Sequence, residues 1–215
     1  MFSAIAFDML DPVTLIVFAA LGGLSFIAVT VAVFKAVQFA RLGVGQRKAA
    51  EAVLDAWLSD RQDEALRLVA PRRSVLARTL QAVFSALHAR PDQPAFAEEL
   101  GRQTALVELA AMEERMRLLE MVVQAAPMLG LLGTVVGMIE AFSVLSAAGG
   151  AVDSAALAGG IWVALTTTAA GLTIALVTYF AASWFEARID TERTLIEAAI
   201  SAAIHGRVDA SARLG

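Results

Sequence analysis

Three long apolar stretches interrupt a chain that is otherwise amphipathic. Pro12 to Phe34 carries no charged residue, Met121 to Val152 carries only Glu140, and Ser154 to Phe185 carries none. A bilayer core needs roughly 20 apolar residues in a helix, so each stretch is long enough to span one. The third exceeds that length, which predicts tilt or projection beyond the membrane. Between the first and second stretches the pattern changes. Apolar residues recur on a helical period at Ala49, Val53 and Trp57, and again at Leu76, Leu80, Val83 and Leu87. Pro71 and the run Arg90-Pro91-Asp92-Gln93-Pro94 divide this region into pieces. After Pro94 the period resumes through Leu106, Leu109, Met112 and Met116, which predicts one long helix running on into the second apolar stretch. Past Glu186, the positions Ile189, Leu195, Ile196 and Ile200 continue a helical repeat.

The pattern predicts an all-α membrane protein with three transmembrane helices, spans two and three extending into a cytoplasmic helical bundle. The expected segments are an outer N-terminal stretch (1–11), span one (12–37), a cytoplasmic helical domain (38–117), span two (118–147), an outer loop (148–155), span three (156–185) and a cytoplasmic C-terminal helix (186–215). Pro12 suits the first turn of span one, where its missing N–H is harmless. Gly22, Gly23 and Ser25 form a small-residue patch suited to helix packing. Trp162 and Trp184 are candidate interface anchors in span three.

Charge placement predicts the orientation. No Lys or Arg occurs from Met1 to Phe34 or from Leu118 to Ala187, and all 17 basic residues lie in the two remaining regions. By the positive-inside rule those regions are cytoplasmic, so the N-terminus faces out and the C-terminus in. The first apolar run does not read as a signal peptide, because it lacks a basic start and is followed by Lys35 and Arg41. Apolar residues make up 58% of the chain, against about half in globular proteins. The net charge of −4 and the mixed signs of the cytoplasmic charges do not point to nucleic acid. The absence of cysteine excludes disulfide and thiolate chemistry.

No enzyme motif is present: no nucleotide-binding Gly-Lys-Thr/Ser loop, no zinc spacing, no serine with a basic partner. His88 and His205 stand alone in the cytoplasmic parts. The expectation is a non-enzyme without cofactor or metal. What remains are polar groups within the spans: Thr134, Glu140, Thr166, Thr167, Thr168 and Thr173, with Gln124 nearer the cytosolic end. Threonines in membrane helices commonly bond to a carbonyl one turn back. Thr166, Thr167 and Thr168 cannot share a face, since each residue turns the helix by about 100°. At most two of them can line a cavity. An acid within a span is a functional-site hypothesis by default. Glu140 has two readings: a pore or interface group, or an acid reaching the outer membrane surface. Pro127 removes a backbone donor inside span two and predicts a kink. Gly130, Gly133 and Gly137 predict close helix packing, with Gly133 and Gly137 as a small-xxx-small pair.

Two runs carry a family resemblance. Ala-Pro-Met-Leu-Gly-Leu-Leu-Gly-Thr-Val-Val-Gly-Met-Ile-Glu-Ala-Phe (126–142) and Leu-Ala-Gly-Gly-Ile-Trp-Val-Ala-Leu-Thr-Thr-Thr-Ala-Ala-Gly-Leu (157–172) resemble spans two and three of the ExbB/TolQ proton-channel proteins, relatives of the flagellar stator protein MotA. Three spans rather than four resemble the ExbB/TolQ branch. The resemblance implies a pentameric subunit of a proton-motive-force-driven motor in the bacterial inner membrane, N-terminus periplasmic. The ring would enclose two copies of a single-span ExbD/TolR-like partner whose helix carries an intramembrane Asp. It would energise a TonB- or TolA-like protein and processes such as outer-membrane import. On the motif, Thr134 and Thr168 correspond to the family threonines that face the partner's aspartate. One departure stands out: the family often carries a glutamate where this chain has Val163. That departure keeps open a second reading, a non-conducting membrane scaffold of an envelope-spanning complex.

Overall fold

The structure is a computed structural model that describes residues 12–42, 47–59, 61–69, 74–147 and 154–206. The N-terminal stretch and the loop expected to face outward (with Gly149, Gly150 and Asp153 at its centre), Pro71 and the last nine residues lie outside the described residues. Among the described residues the chain forms helices and no strand. In chain order these are α1 (Pro12–Leu42), α2 (Arg47–Leu58), α3 (Gln62–Val69), α4 (Val75–Ala89), α5 (Pro94–Glu113), α6 (Met116–Ala147) and α7 (Ser154–His205). Three helical stretches, Pro12–Leu42, Pro94–Ser146 and Leu157–His205, are long and apolar enough to cross a membrane. The protein is an all-α, multi-pass membrane protein.

The chain divides into two compact units. The first comprises Met1–Val33 and Arg115–Ser183. Its centre is a cluster of Val17 and Leu21 from α1, Ala126 from α6 and Ala175 from α7, ringed by Leu24, Leu129, Ala170 and Ile174. Large apolar side chains point outward, among them Phe26, Trp162 and Phe180. Gly22 and Gly23, expected in packing, face open space within this single chain.

The second unit comprises Phe34–Glu114 and Trp184–Gly215. Its interior is built from large side chains: Val75, Leu80, Val83, Phe84, Met112 and Ile196 are buried. Ser74 caps α4 by accepting from the Ala77 amide at 3.2 Å, the usual way to satisfy a free helix-start N–H. Pro94 opens α5, where its missing donor is harmless. The end of α7 belongs to this unit. The Trp57 ring stacks on Phe84 at 4.0 Å and its indole N–H donates to the Ala203 carbonyl at 3.1 Å. Arg193 of α7 pairs with Glu113 of α5 at 2.6 Å.

The helix expected to run from Pro94 into the second apolar stretch is interrupted once, at Glu114 and Arg115. Glu114 adopts ψ 135° and Arg115 a left-handed φ of 69°. Neither glycine nor proline marks the site, so hydrophobic period alone does not reveal the break. The donors that make it tolerable lie on α1. Lys35, fully buried, donates through Nζ to the Met112 carbonyl at 2.6 Å. Gln38 donates through Nε2 to the Ala111 carbonyl at 3.2 Å.

Candidate functional site

Within the first unit, α6 and α7 meet along two stripes of small residues. A Cβ on Gly137 would come within 2.8 Å of the Ala164 side chain, and one on Gly160 within 3.0 Å of Ala141. A Cβ on Gly130 would approach the Thr167 carbonyl and the Thr168 Cα at 3.0 Å. One on Gly171 would strike the Ala126 carbonyl. Successive contacts pair later residues of α6 with earlier residues of α7, so the helices are antiparallel here. Lipid tails offer no hydrophobic drive between helices; backbone proximity and hydrogen bonds hold such crossings. Gly160 and Gly171 were not singled out from the sequence. Their signal is a period: Gly160, Ala164, Thr167 or Thr168, and Gly171 recur every three or four residues.

The three consecutive threonines separate as helix geometry demands. Thr166 is exposed and donates to the Trp162 carbonyl at 2.8 Å, one turn back. Thr167 is fully buried at the crossing. Its hydroxyl sits at 2.6 Å from the Ala164 carbonyl and 3.2 Å from Gly130 O. A Cβ on Gly133 would collide with this side chain, 2.7 Å from its Cβ. Thr167 therefore occupies the helix interface. Thr168 is half-buried and donates to Gly130 O at 2.8 Å. The Gly130 carbonyl thus receives two hydroxyls from α7, and the crossing joins Thr167 and Thr168 to one point on α6.

Thr134 lies one turn further along α6, half-buried, and donates to the Leu131 carbonyl at 2.7 Å. Together with Val135, Met138, Ile139 and Phe142 it lines an open apolar recess of about 590 Å³. In both Thr134 and Thr168 the hydroxyl proton points to backbone, which leaves the oxygen lone pairs as acceptors. Such a pair can receive a hydrogen bond from a neutral acid. To donate to an anion, a hydroxyl must first turn from its carbonyl.

Glu140 is partly buried, well beyond Thr134 on α6. At 1.5 Å rise per residue the two are roughly 9 Å apart along the axis. Pro127 lies inside α6, which is helical on both sides of it. Val163 is partly buried, next to the fully packed Ala164. Among the described residues no group of three or more His, Cys, Asp or Glu is placed to hold a metal ion. Two ionisable residues that the sequence reading did not treat as site residues are almost fully buried, Lys35 and Glu192, both in the second unit.

Residues 69–198, more than half of the chain, match the MotA/TolQ/ExbB proton channel family. The chain belongs to this family. Its similarity to individual members follows the ExbB branch. A putative biopolymer transport protein, ExbB-like 1, of Synechocystis sp. is 35% identical over 155 residues, 71% of this chain and 60% of that protein. A putative biopolymer transport protein ExbB homolog of Methanothermobacter thermautotrophicus is 39% identical over 100 residues, 46% of this chain and 35% of that protein. The biopolymer transport protein exbB1 of Vibrio cholerae is 49% identical over 61 residues, 28% of this chain and 27% of that protein. The chain thus spans between about a quarter and three fifths of these relatives. The α6–α7 crossing falls wholly inside the region that matches the family.

Proposed function

We propose that this chain is a subunit of a proton-driven motor of an inner membrane, with its N-terminus outside and C-terminus in the cytoplasm. In this reading five copies surround two single-span ExbD/TolR-like partners, each bringing an intramembrane Asp. Proton passage would energise a TonB- or TolA-like protein that serves biopolymer transport. The observation that carries the reading is the α6–α7 crossing, with Thr168 bound to Gly130 O and Thr134 one turn away. The relatives' shared designation as biopolymer transport proteins supports the same role.

The chemistry is coherent. A carboxylate in low dielectric prefers to be neutral. Threonine oxygens with committed protons accept from the neutral acid. A hydroxyl that turns toward the carboxylate lowers the penalty of ionisation. One charge crossing 100 mV releases about 2.3 kcal/mol, so several protons suffice for a mechanical step. With Val163 at that position, the chain offers no acid at that depth of span three, which leaves the exchangeable proton to the partner's carboxylate.

The test is the double substitution Thr134→Val with Thr168→Val. Partner-dependent energisation is expected to vanish while assembly persists; full activity in the double variant would sink the assignment. Val163 favours the second reading, a non-conducting scaffold. Proton flux through the reconstituted complex separates the two. Flux that depends on the partner Asp supports the motor, and flux no greater than lipid background supports the scaffold.

A further inference from the structure

Thr167 and Thr168 converge on an acceptor with room for one hydroxyl. A carbonyl oxygen has two lone pairs. Gly130 lies inside α6, where the Thr134 amide takes one of them in the regular helical ladder. The other is left for two hydroxyls, Thr168 Oγ1 at 2.8 Å and Thr167 Oγ1 at 3.2 Å. Thr168 holds it by the shorter contact. Each hydroxyl has a single proton, and Thr167 has a second acceptor for its own, the Ala164 carbonyl at 2.6 Å. Turning that proton from Ala164 O to Gly130 O needs only rotation about the Cβ–Oγ1 bond, and no heavy atom moves. Ala164 O is not stranded by the exchange, because α7 is helical there and its ladder supplies the Thr168 amide. The two threonines also differ in reach. Thr167 has no exposed surface and lies against Gly133, whereas Thr168 is half-buried. Of the two, Thr168 alone can present its hydroxyl to a group outside the α6–α7 contact.

We propose that Thr167 is a positioning residue: a reserve donor that takes over the Gly130 carbonyl whenever the Thr168 hydroxyl turns away. The interhelix hydrogen bond then passes from one threonine to its neighbour instead of being lost. Between membrane helices such bonds are part of what holds a crossing together, and removing the donor from a buried acceptor is costly. Thr168 is thereby free to donate to a carboxylate without loosening the crossing that carries it. That consequence rests on the motor reading. The shared acceptor stands on the crossing alone.

A double-mutant cycle on the full chain, unfolded reversibly in detergent, tests the shared acceptor. Thr167→Val and Thr168→Val each leave one hydroxyl for Gly130 O, and each is expected to have a small effect. The two together remove both hydroxyls, and the unfolding equilibrium should shift about tenfold beyond the product of the single shifts. Thr167→Ser keeps the hydroxyl and drops only the methyl, so combined with Thr168→Val it should show no such excess. If Thr167→Val with Thr168→Val fails to fold where Thr167→Ser with Thr168→Val folds, that is the same result in its extreme form. Shifts that simply multiply overturn the proposal, as does an excess that persists with Thr167→Ser. Partner-dependent proton flux through the reconstituted complex tests the consequence. Thr167→Val should lower it about tenfold, while Thr167→Ser should keep it. A Thr167 that only fills space predicts the reverse order, because valine keeps the shape and serine does not, and that order also overturns the proposal. If the unaltered complex shows no partner-dependent flux, the motor reading fails, and the cycle by itself decides whether Thr167 is the reserve donor.

Discussion

The two units of this protein are built inside out relative to each other. In the first, small residues line the α6–α7 contact and many large ones face outward. Gly130, Gly133, Gly137 and Gly171 bring α6 and α7 to backbone distance, while Trp162, Leu176, Val177 and Phe180 are exposed. In the second, large residues face inward. Phe84, Leu80, Met112 and Ile196 are buried, while charged pairs such as Arg78–Glu108 at 2.8 Å lie on the surface. The backbone is helical in both. The difference is what the surroundings reward. Water drives large apolar side chains together. Lipid does not, so close packing and hydrogen bonds must hold helices instead. Threonine hydroxyls turn back to carbonyls in both units, as Thr134 does in the first and Thr79 in the second. In the second unit, Lys35 and Gln38 also reach a helix end on another element.

The largest effect should come from hollowing the water-type interior. Phe84→Ala deletes a fully buried ring stacked on Trp57 and should destabilise the second unit by about 3–5 kcal/mol. Chemical denaturation of the full chain in detergent measures it. A loss below that of an ordinary surface substitution would mean that this interior does not hold the unit. The sharpest test of the contrast comes next. Val177 and Val107 are 66% and 70% exposed, one in each unit. Val177→Asp should disfavour membrane insertion by roughly 2.5–3.5 kcal/mol, whereas Val107→Asp should stay within about 0.5 kcal/mol. Equal penalties in an insertion assay would erase the distinction between the units. The smallest effect concerns the glycine stripe. Gly171→Ala drives a methyl into the Ala126 carbonyl and should lose about 1–3 kcal/mol. Gly23→Ala meets nothing within 4 Å and should gain up to about 1 kcal/mol of helix preference. Thermal unfolding of the two variants must move in opposite directions if close approach, rather than glycine content, is what matters.

Much of this is legible in the chain. Three charge-poor stretches imply three membrane helices because length and apolarity are local properties. The period through Leu76, Leu80 and Val83 marks a buried face because a helix repeats every 3.6 residues. Helix geometry alone states that Thr166, Thr167 and Thr168 must point apart. It does not say which of them enters the crossing. That choice depends on where α6 lies around α7, and the buried position falls to Thr167 because its side chain fills the space above Gly133. Likewise Lys35 reads in the sequence as a charge that ends a membrane span. Only the tertiary structure turns it into a buried donor at the end of α5, 77 residues away. The interruption at Arg115 belongs with it. Local preference favours an unbroken helix there, and the stabilising partners come from a distant segment. Sequence by itself determined the all-helical character, the three membrane stretches and the apolar faces, since these follow from composition and period. Tertiary structure decided which hydroxyl meets which carbonyl and where a helix stops, since those depend on groups that the chain brings together only by folding.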